Sequence, residues 1–458
     1  MAKVKEVFVC QSCGTPSPKW QGQCAGCGEW NTLVAEVRSS GPRGPAATAG
    51  RSGRVEPPVS LASEAAAEQP RISTGSAELD RVLGGGLVTG SVTLIGGDPG
   101  IGKSTLMLQS AAALAAAGPV LYATGEESIK QVALRARRLS LAESTARLVA
   151  ETQVEAIVET AAGLKARALI VDSIQTMYSQ RIDTAPGAVS QLRECTAELV
   201  RFAKTSGTAV LLVGHVTKEG QIAGPRVLEH MVDTVLYFES DTGSRFRVLR
   251  SVKNRFGAAN EIGVFAMAEQ GLREVSNPSA IFLSRHGRPV SGSVITVMRE
   301  GTRSLLIEVQ VLADSSLGPN PRRVAVGIDG NRLTMLLAVA HRHAGLSLQG
   351  QDVFANVVGG VRLAETAGDL AIVLAARSSL SDIPLPDSLI AFGELGLAGE
   401  IRPVPFGEER LREAAKHGFK SALIPEANVP RRLPEGMTVR GVSRLSEALE
   451  AFDRGSSR

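Results

Sequence analysis

The run Gly97-Asp98-Pro99-Gly100-Ile101-Gly102-Lys103-Ser104-Thr105 fits the pattern G-x-x-x-x-G-K-[ST]. Its chemistry is phosphate binding. The glycines let backbone N–H groups turn inward, and the N-terminus of a following helix adds its positive end. Lys103 is expected to reach the β- and γ-phosphates of ATP, Ser104 to bind Mg²⁺ and Thr105 to hold the α-phosphate side. Asp172 follows the apolar run "ALIV". At the C-terminal end of a buried strand it is expected to orient Mg²⁺ and its water, with a helix cap as the other reading. Glu126 and Glu127 in "YATGEES" stand side by side after another strand pattern. Glu126 is the preferred water-activating base; acidic charge at a helix N-terminus is the plainer alternative. His215 in "VGHVTKEG" ends a further apolar run. It is a candidate γ-phosphate sensor, with a structural histidine as the plainer alternative.

Two cations raise a different question. "SVKNRFGAAN" follows the alternating run "SRFRVLRS", whose period of two predicts a β-strand. Lys253 and Arg255 are two residues apart, so in an extended chain they project to the same side. Asn254 between them faces away, and Gly257 allows a sharp turn. The preferred anion is the γ-phosphate of ATP held by a neighbouring subunit; DNA phosphate and a surface ion pair are the alternatives.

Cys10 and Cys13 form one C-x-x-C pair and Cys24 and Cys27 another, each followed by glycine. Four thiolates at this spacing close a tetrahedral Zn²⁺ site with no open position. Trp20 and Trp30 lie in the same segment and are expected to pack round the knuckle. The remaining cysteine, Cys195, reads as a small buried hydrophobe.

These groups need a scaffold, and the chain has the length for several domains, at 458 residues. Residues 1–35 are the Cys-rich ribbon. Residues 36–69 are rich in Gly, Pro, Ala and Ser and are expected to be a flexible linker. From residue 70 to 275, runs such as "SVTLIGG", "PVLYAT", "RLVAET", "ALIVDS" and "TAVLLVGHV" alternate with helical patterns. That alternation predicts an α/β domain with a mainly parallel sheet and helices on both faces. Residues 276–458 form a second α/β region. Net charge is only +4, so any nucleic-acid binding must come from local patches. Aromatic content of 4% argues against a platform that stacks successive bases. The start lacks the apolar core of a signal peptide, and no apolar run reaches the roughly 18 residues of a membrane helix. A cytoplasmic location without a membrane is expected.

"RISTGSAELDRVLGGGL", "GGDPGIGKST", "YATGEES", "ALIVDSIQT" and "KNRFG", in this order and behind a four-Cys ribbon, resemble the RecA-like ATPases. More specifically they resemble the bacterial RadA (Sms) family of recombination and repair proteins. The resemblance implies a DNA-dependent ATPase using ATP and Mg²⁺. It implies a homohexameric ring on single-stranded DNA that extends branched recombination intermediates, by branch migration, together with the RecA recombinase. It makes Lys253, Asn254, Arg255, Phe256 and Gly257 a signature motif. The last region, with "GGVRLAETAGDLAIVLA" and "GELGLAGEIRPVPFGEERLREAAKHGFKSALIPEAN", resembles the proteolytic domain of Lon. Lon uses a Ser–Lys dyad. The best match for the serine is Ala367, with Thr366 adjacent, and for the lysine Glu408. Without an activated nucleophile this domain is expected to be a scaffold and not a protease. An ATP-dependent protease and an ATP-driven assembly switch like KaiC are the competing readings. Arg322, Arg323, Lys416 and Lys420 are candidates for a DNA surface or an ordinary solvated face.

Overall fold

The computed structural model describes residues 4–10, 14–39, 70–215, 227–239, 246–275, 277–280, 283, 290–316, 318–359 and 361–455. Cys13 and most of the expected linker, from residue 40 onward, lie outside these. The chain divides into two compact units, Met1–Val275 and Ser276–Arg458.

The first unit begins with a three-stranded antiparallel ribbon, β1 (Val4–Cys10), β2 (Pro16–Ser17) and β3 (Leu33–Ser39). Pairing of Val4 with Ser39 carries β3 four residues past the expected end of the ribbon. A small antiparallel pair follows, β4 (Arg71–Ile72) and β5 (Leu87–Val88), enclosing helix α1 (Ala77–Leu83).

The main sheet has nine strands: β6 (Val92–Gly97), β7 (Val120–Thr124), β8 (Arg147–Ala150), β9 (Ala168–Asp172), β10 (Ala209–Val213), β11 (Thr234–Glu239), β12 (Phe246–Asn254), β13 (Ile262–Ala268) and β14 (Gly271–Glu274). Their spatial order is β14-β13-β12-β11-β6-β10-β9-β7-β8. The strands from β11 to β8 are parallel, and β12 to β14 extend the edge as antiparallel hairpins. Strands β6, β7, β9 and β10 are buried throughout, as uninterrupted apolar runs require when both faces are covered.

Alternate residues serve two cores. On one face Ile95, Tyr122, Ile170 and Leu211 pack with α1, α2 (Lys103–Ala115) and α3 (Ile129–Arg138). On the other, Leu94, Leu121, Leu169 and Leu212 pack with α4 (Val154–Gly163), α5 (Val189–Ser206) and the short α6 (Val227–Met231). Cys195 is fully buried in this second core, and burial pushes its thiol up to about 12.

The second unit is built on a mixed sheet of seven strands. In chain order these are β15 (Ser293–Glu300), β16 (Arg303–Ser315), β17 (Arg323–Val326), β18 (Gln351–Val357), β19 (Leu389–Ala391), β20 (Ser421–Pro425) and β21 (Thr438–Val442). They lie in the order β17-β18-β16-β15-β19-β20-β21. Helix α7 (Gly330–Ala344) precedes α8 (Asp369–Ser381), whose first eight residues are all buried. Helices α9 (Gly407–Lys416) and α10 (Leu445–Gly455) follow. Among the described residues no helix is long and apolar enough to cross a membrane.

Candidate nucleotide site and metal ribbon

Strand β6 delivers the phosphate loop to the C-terminal edge of the sheet, where ligands of open α/β folds bind. Gly97, Gly100 and Gly102 have φ values of 149°, 76° and 119°, a conformation that glycine adopts without strain. The turn ends at the N-terminus of α2, whose first residues are Lys103, Ser104 and Thr105. Residues Asp98 and Pro99 expose the loop's rim, and Ile101 packs beneath it. The Lys103 side chain is almost wholly buried and donates to the carbonyls of Gly97 (2.6 Å) and Asp98 (2.8 Å). Burial lowers its pKa; the charges of Asp172, Glu126 and Asp98 oppose that shift. So both acidic candidates stand close enough to act on this ammonium.

Asp172 ends β9, and its peptide bond to Ser173 is cis. Its Oδ2 accepts a hydrogen bond of 2.5 Å from the buried hydroxyl of Tyr122. Beside it, Glu126 Oε1 accepts from Ser173 Oγ (2.5 Å) and lies 2.9 Å from His215 Nε2. Burial alone raises the Glu126 pKa. The hydrogen bonds from Ser173 and His215, with the charges of His215 and Lys103, reverse that and hold the carboxyl below its usual range. Glu127 points elsewhere and is ion-paired with Arg135 of α3. The two adjacent carboxylates are therefore distinguished by their partners. Tyr122, Ser173 and Arg135 did not stand out in the sequence. The one signal for Tyr122 is strand alternation, which puts it on the same face as Thr124, the register partner of Asp172.

The donor set fits a magnesium–nucleotide: a hydroxyl (Ser104) and a carboxylate (Asp172) are hard oxygen donors, and Lys103 with the loop amides suits phosphate. When bound, the cation neutralises charge on the phosphates.

The cations of the "KNRFG" turn sit elsewhere. Strand β12 runs antiparallel to β11, so its C-terminal end lies at the start of β6. There Asp233 exchanges backbone and side-chain hydrogen bonds with Val92, the first residue of β6. Five residues of strand separate Val92 from Gly97, about 16 Å, farther than either cation reaches. Lys253 Nζ donates to the carbonyls of Glu229 (2.8 Å) and Val232 (2.7 Å) at the end of α6, where the helix dipole is negative. Burial and then the charge of Arg255 lower the Lys253 pKa. Arg255 Nη1 donates to Asp233 Oδ1 at 3.2 Å, and its side chain stays 58% exposed. Neither cation thus projects freely from the strand end within this chain. Asn254 turns to the other side: its Oδ1 accepts from Phe256 N (2.9 Å) and its Nδ2 donates to Val82 O of α1. Gly257 has an ordinary φ. What requires glycine is close approach, because a Cβ there would lie 2.9 Å from Gly84 Cα.

In the ribbon, the Sγ atoms of Cys10, Cys24 and Cys27 lie within 4.8 Å of one another, with Cys10 and Cys27 3.7 Å apart. Tetrahedral Zn–S bonds of about 2.3 Å set ligand sulfurs about 3.8 Å apart, so the three fit zinc. Gly14 N donates to Cys10 O and Gly28 N to Cys24 O, closing two matching knuckles. Trp20 and Trp30 do not cover them. They are 55% and 68% exposed and flank Gly22.

In the second unit Ala367 is buried, and the neighbouring Thr366 Oγ1 donates to Glu394 (2.7 Å). Glu408 is exposed and pairs with Arg412. Arg410, two residues on, is fully buried and makes two 2.7 Å bonds to Glu365. Arg322 pairs with Asp352, Arg323 donates to backbone carbonyls, and Lys416 pairs with Glu413. Lys420 lies just before β20.

Three family models match parts of the chain: a rubredoxin metal binding domain over residues 8–35, an AAA domain over 62–221 and subunit ChlI of Mg-chelatase over 337–428. They agree with a zinc ribbon, a P-loop ATPase core and a Lon-like α/β domain in one chain. Full-length relatives are each described as DNA repair protein RadA. That of Pseudomonas aeruginosa is 58% identical over 99% of this chain and 100% of its own. That of Escherichia coli K12 is 55% identical over 99% and 100%. That of Bacillus subtilis 168 is 51% identical over 98% and 99%. Identity at this level along the whole length leaves one assignment: the chain belongs to the family of bacterial DNA repair protein RadA.

Proposed function

We propose that this protein is a DNA-dependent ATPase of homologous recombination and repair. It acts as a homohexameric ring on single-stranded DNA in the cytoplasm, promoting branch migration of recombination intermediates together with the RecA recombinase. Lys103 neutralises the β- and γ-phosphates, Ser104 and Asp172 hold and orient Mg²⁺, Glu126 accepts the proton of the attacking water and His215 reports the γ-phosphate. Lys253 and Arg255 act across a subunit border on the neighbour's nucleotide. The second unit serves as a ring scaffold without acyl transfer, since Thr366 faces an acid and no lysine occupies the position of Glu408.

One observation carries the ring reading. Lys253 and Arg255 are at the opposite end of the sheet from their own phosphate loop, about 16 Å away along β6. A nucleotide that these cations meet, on leaving the α6 carbonyls and Asp233 that hold them here, is another subunit's. ATP turnover with and without single-stranded DNA is the test. Stimulation by DNA is expected; turnover indifferent to DNA favours an assembly switch. Casein breakdown with ATP above background would instead establish the protease reading.

A further inference from the structure

We propose that Tyr122 is a positioning residue for Asp172, its hydroxyl fixing the orientation of the carboxylate that holds the divalent cation. The proposal rests on the role given above to Asp172.

The geometry comes from strand register. Thr124 of β7 is paired with Asp172 of β9, so their side chains share a face of the sheet. Tyr122 lies two residues earlier on that face, opposite Ile170. Two strand residues span about 6.6 Å, a distance that a phenol covers and a shorter side chain does not. Tyr122 belongs to the buried apolar cluster on this face, which also includes Ile95, Leu106, Met107 and Ile170. Its hydroxyl arrives at Asp172 Oδ2 at 2.5 Å. A phenol buried to 1% exposure in an apolar layer has lost its water, so its donor must find an acceptor inside. The bond occupies Oδ2 and stops rotation of the carboxylate, which leaves Oδ1 directed by the protein. Partners of this kind commonly change metal affinity about 10–100-fold when removed.

The test is Mn²⁺ affinity of the full-length protein with ADP bound, read from the EPR signal of free Mn²⁺. Wild type is compared with Tyr122→Phe, Asp172→Asn and the double variant. Tyr122→Phe keeps the ring and its packing, and equal ADP affinity in EDTA checks the fold. Expected is about tenfold weaker Mn²⁺ binding in Tyr122→Phe, at least as great a loss in Asp172→Asn, and no further loss in the double variant. If Asp172→Asn weakens Mn²⁺ binding but Tyr122→Phe does not, Tyr122 only fills the core and the Asp172 role stands. A fold loss in the double variant equal to the product of the two single-variant losses shows that Tyr122 acts by another route and overturns the proposal. If Asp172→Asn leaves Mn²⁺ affinity unchanged, the role of Asp172 falls and the proposal falls with it.

Discussion

His215 Nε2 and Glu126 Oε1 lie 2.9 Å apart, joining the ends of β10 and β7 across the intervening end of β9. Ser173, which follows β9, bonds the same oxygen. The carboxylate is therefore held from the ends of β9 and β10, beside Lys103. Glu126→Gln keeps the shape but cannot take a proton. ATP turnover should fall about 10²–10⁴-fold while nucleotide affinity is retained. Single-turnover hydrolysis with a parallel binding titration checks this; turnover within a few-fold of wild type excludes Glu126 as the base.

The same contacts predict a pH effect. Burial raises the Glu126 pKa, and the donors Ser173 and His215 more than offset it, leaving a depressed value. A general base works deprotonated, so this depression keeps the enzyme active toward acid. Ser173→Ala removes one lowering contact, so the Glu126 pKa rises. The acid limb of the kcat/KM profile should move to higher pH. A limb that stays in place, or moves to lower pH, means another group titrates there.

The chain has only two tryptophans, Trp20 and Trp30, both in the ribbon. Tryptophan emission therefore reports the ribbon alone. Few apolar residues support this unit: Cys10, Cys24 and Leu33 are buried together with Phe8 beside them. Chelation of zinc should shift that emission and abolish the ribbon's structure, since metal binding supplies such a unit's folding energy. Affinity for ATP should remain, because the phosphate loop is formed by the turn between β6 and α2, outside the ribbon. Loss of ATP binding on chelation would tie the two together.

Much of this was legible in the sequence, for identifiable reasons. Strands buried on both faces, such as "ALIVD", appear as continuous apolar runs. The phosphate loop and the C-x-x-C pairs are local in sequence, and so are readable. What failed was non-local. Tyr122 and Asp172 are 50 residues apart, and Ser173 and Glu126 are 47 apart, so only strand register reveals those bonds. The i, i+2 rule put Lys253 and Arg255 together, but it says nothing of the α6 carbonyls and Asp233 that receive them. The tryptophans were misread because a ribbon of three short strands has too little interior to bury two indoles.

Binding to single-stranded DNA should weaken steeply with salt. With few aromatic rings for stacking, phosphate contacts from arginine and lysine are the main attraction, and each releases a counterion. The slope of log affinity against log salt should be about −0.7 per phosphate contact. A flat titration, measured by fluorescence anisotropy, points to stacking or base readout instead.

The sharpest test concerns Lys253 and Lys103, which one subunit holds at opposite ends of its sheet. Lys103→Ala should remove nearly all hydrolysis, because the ammonium stabilises charge on the transferring phosphoryl group. Lys253→Ala should keep the fold, since water can solvate the α6 carbonyls that it leaves. It should also keep basal DNA binding but lose DNA-stimulated hydrolysis and branch migration. On the proposed ring, each homogeneous assembly then lacks one half of every site. Rings mixed from the two variants contain borders that join an intact phosphate loop to an intact Lys253. Hydrolysis should therefore return in part on mixing, and it should peak near equal proportions. If mixing restores nothing, and Lys253→Ala chiefly weakens DNA binding, the cation pair grips DNA phosphate and takes no part in the neighbour's ATP site.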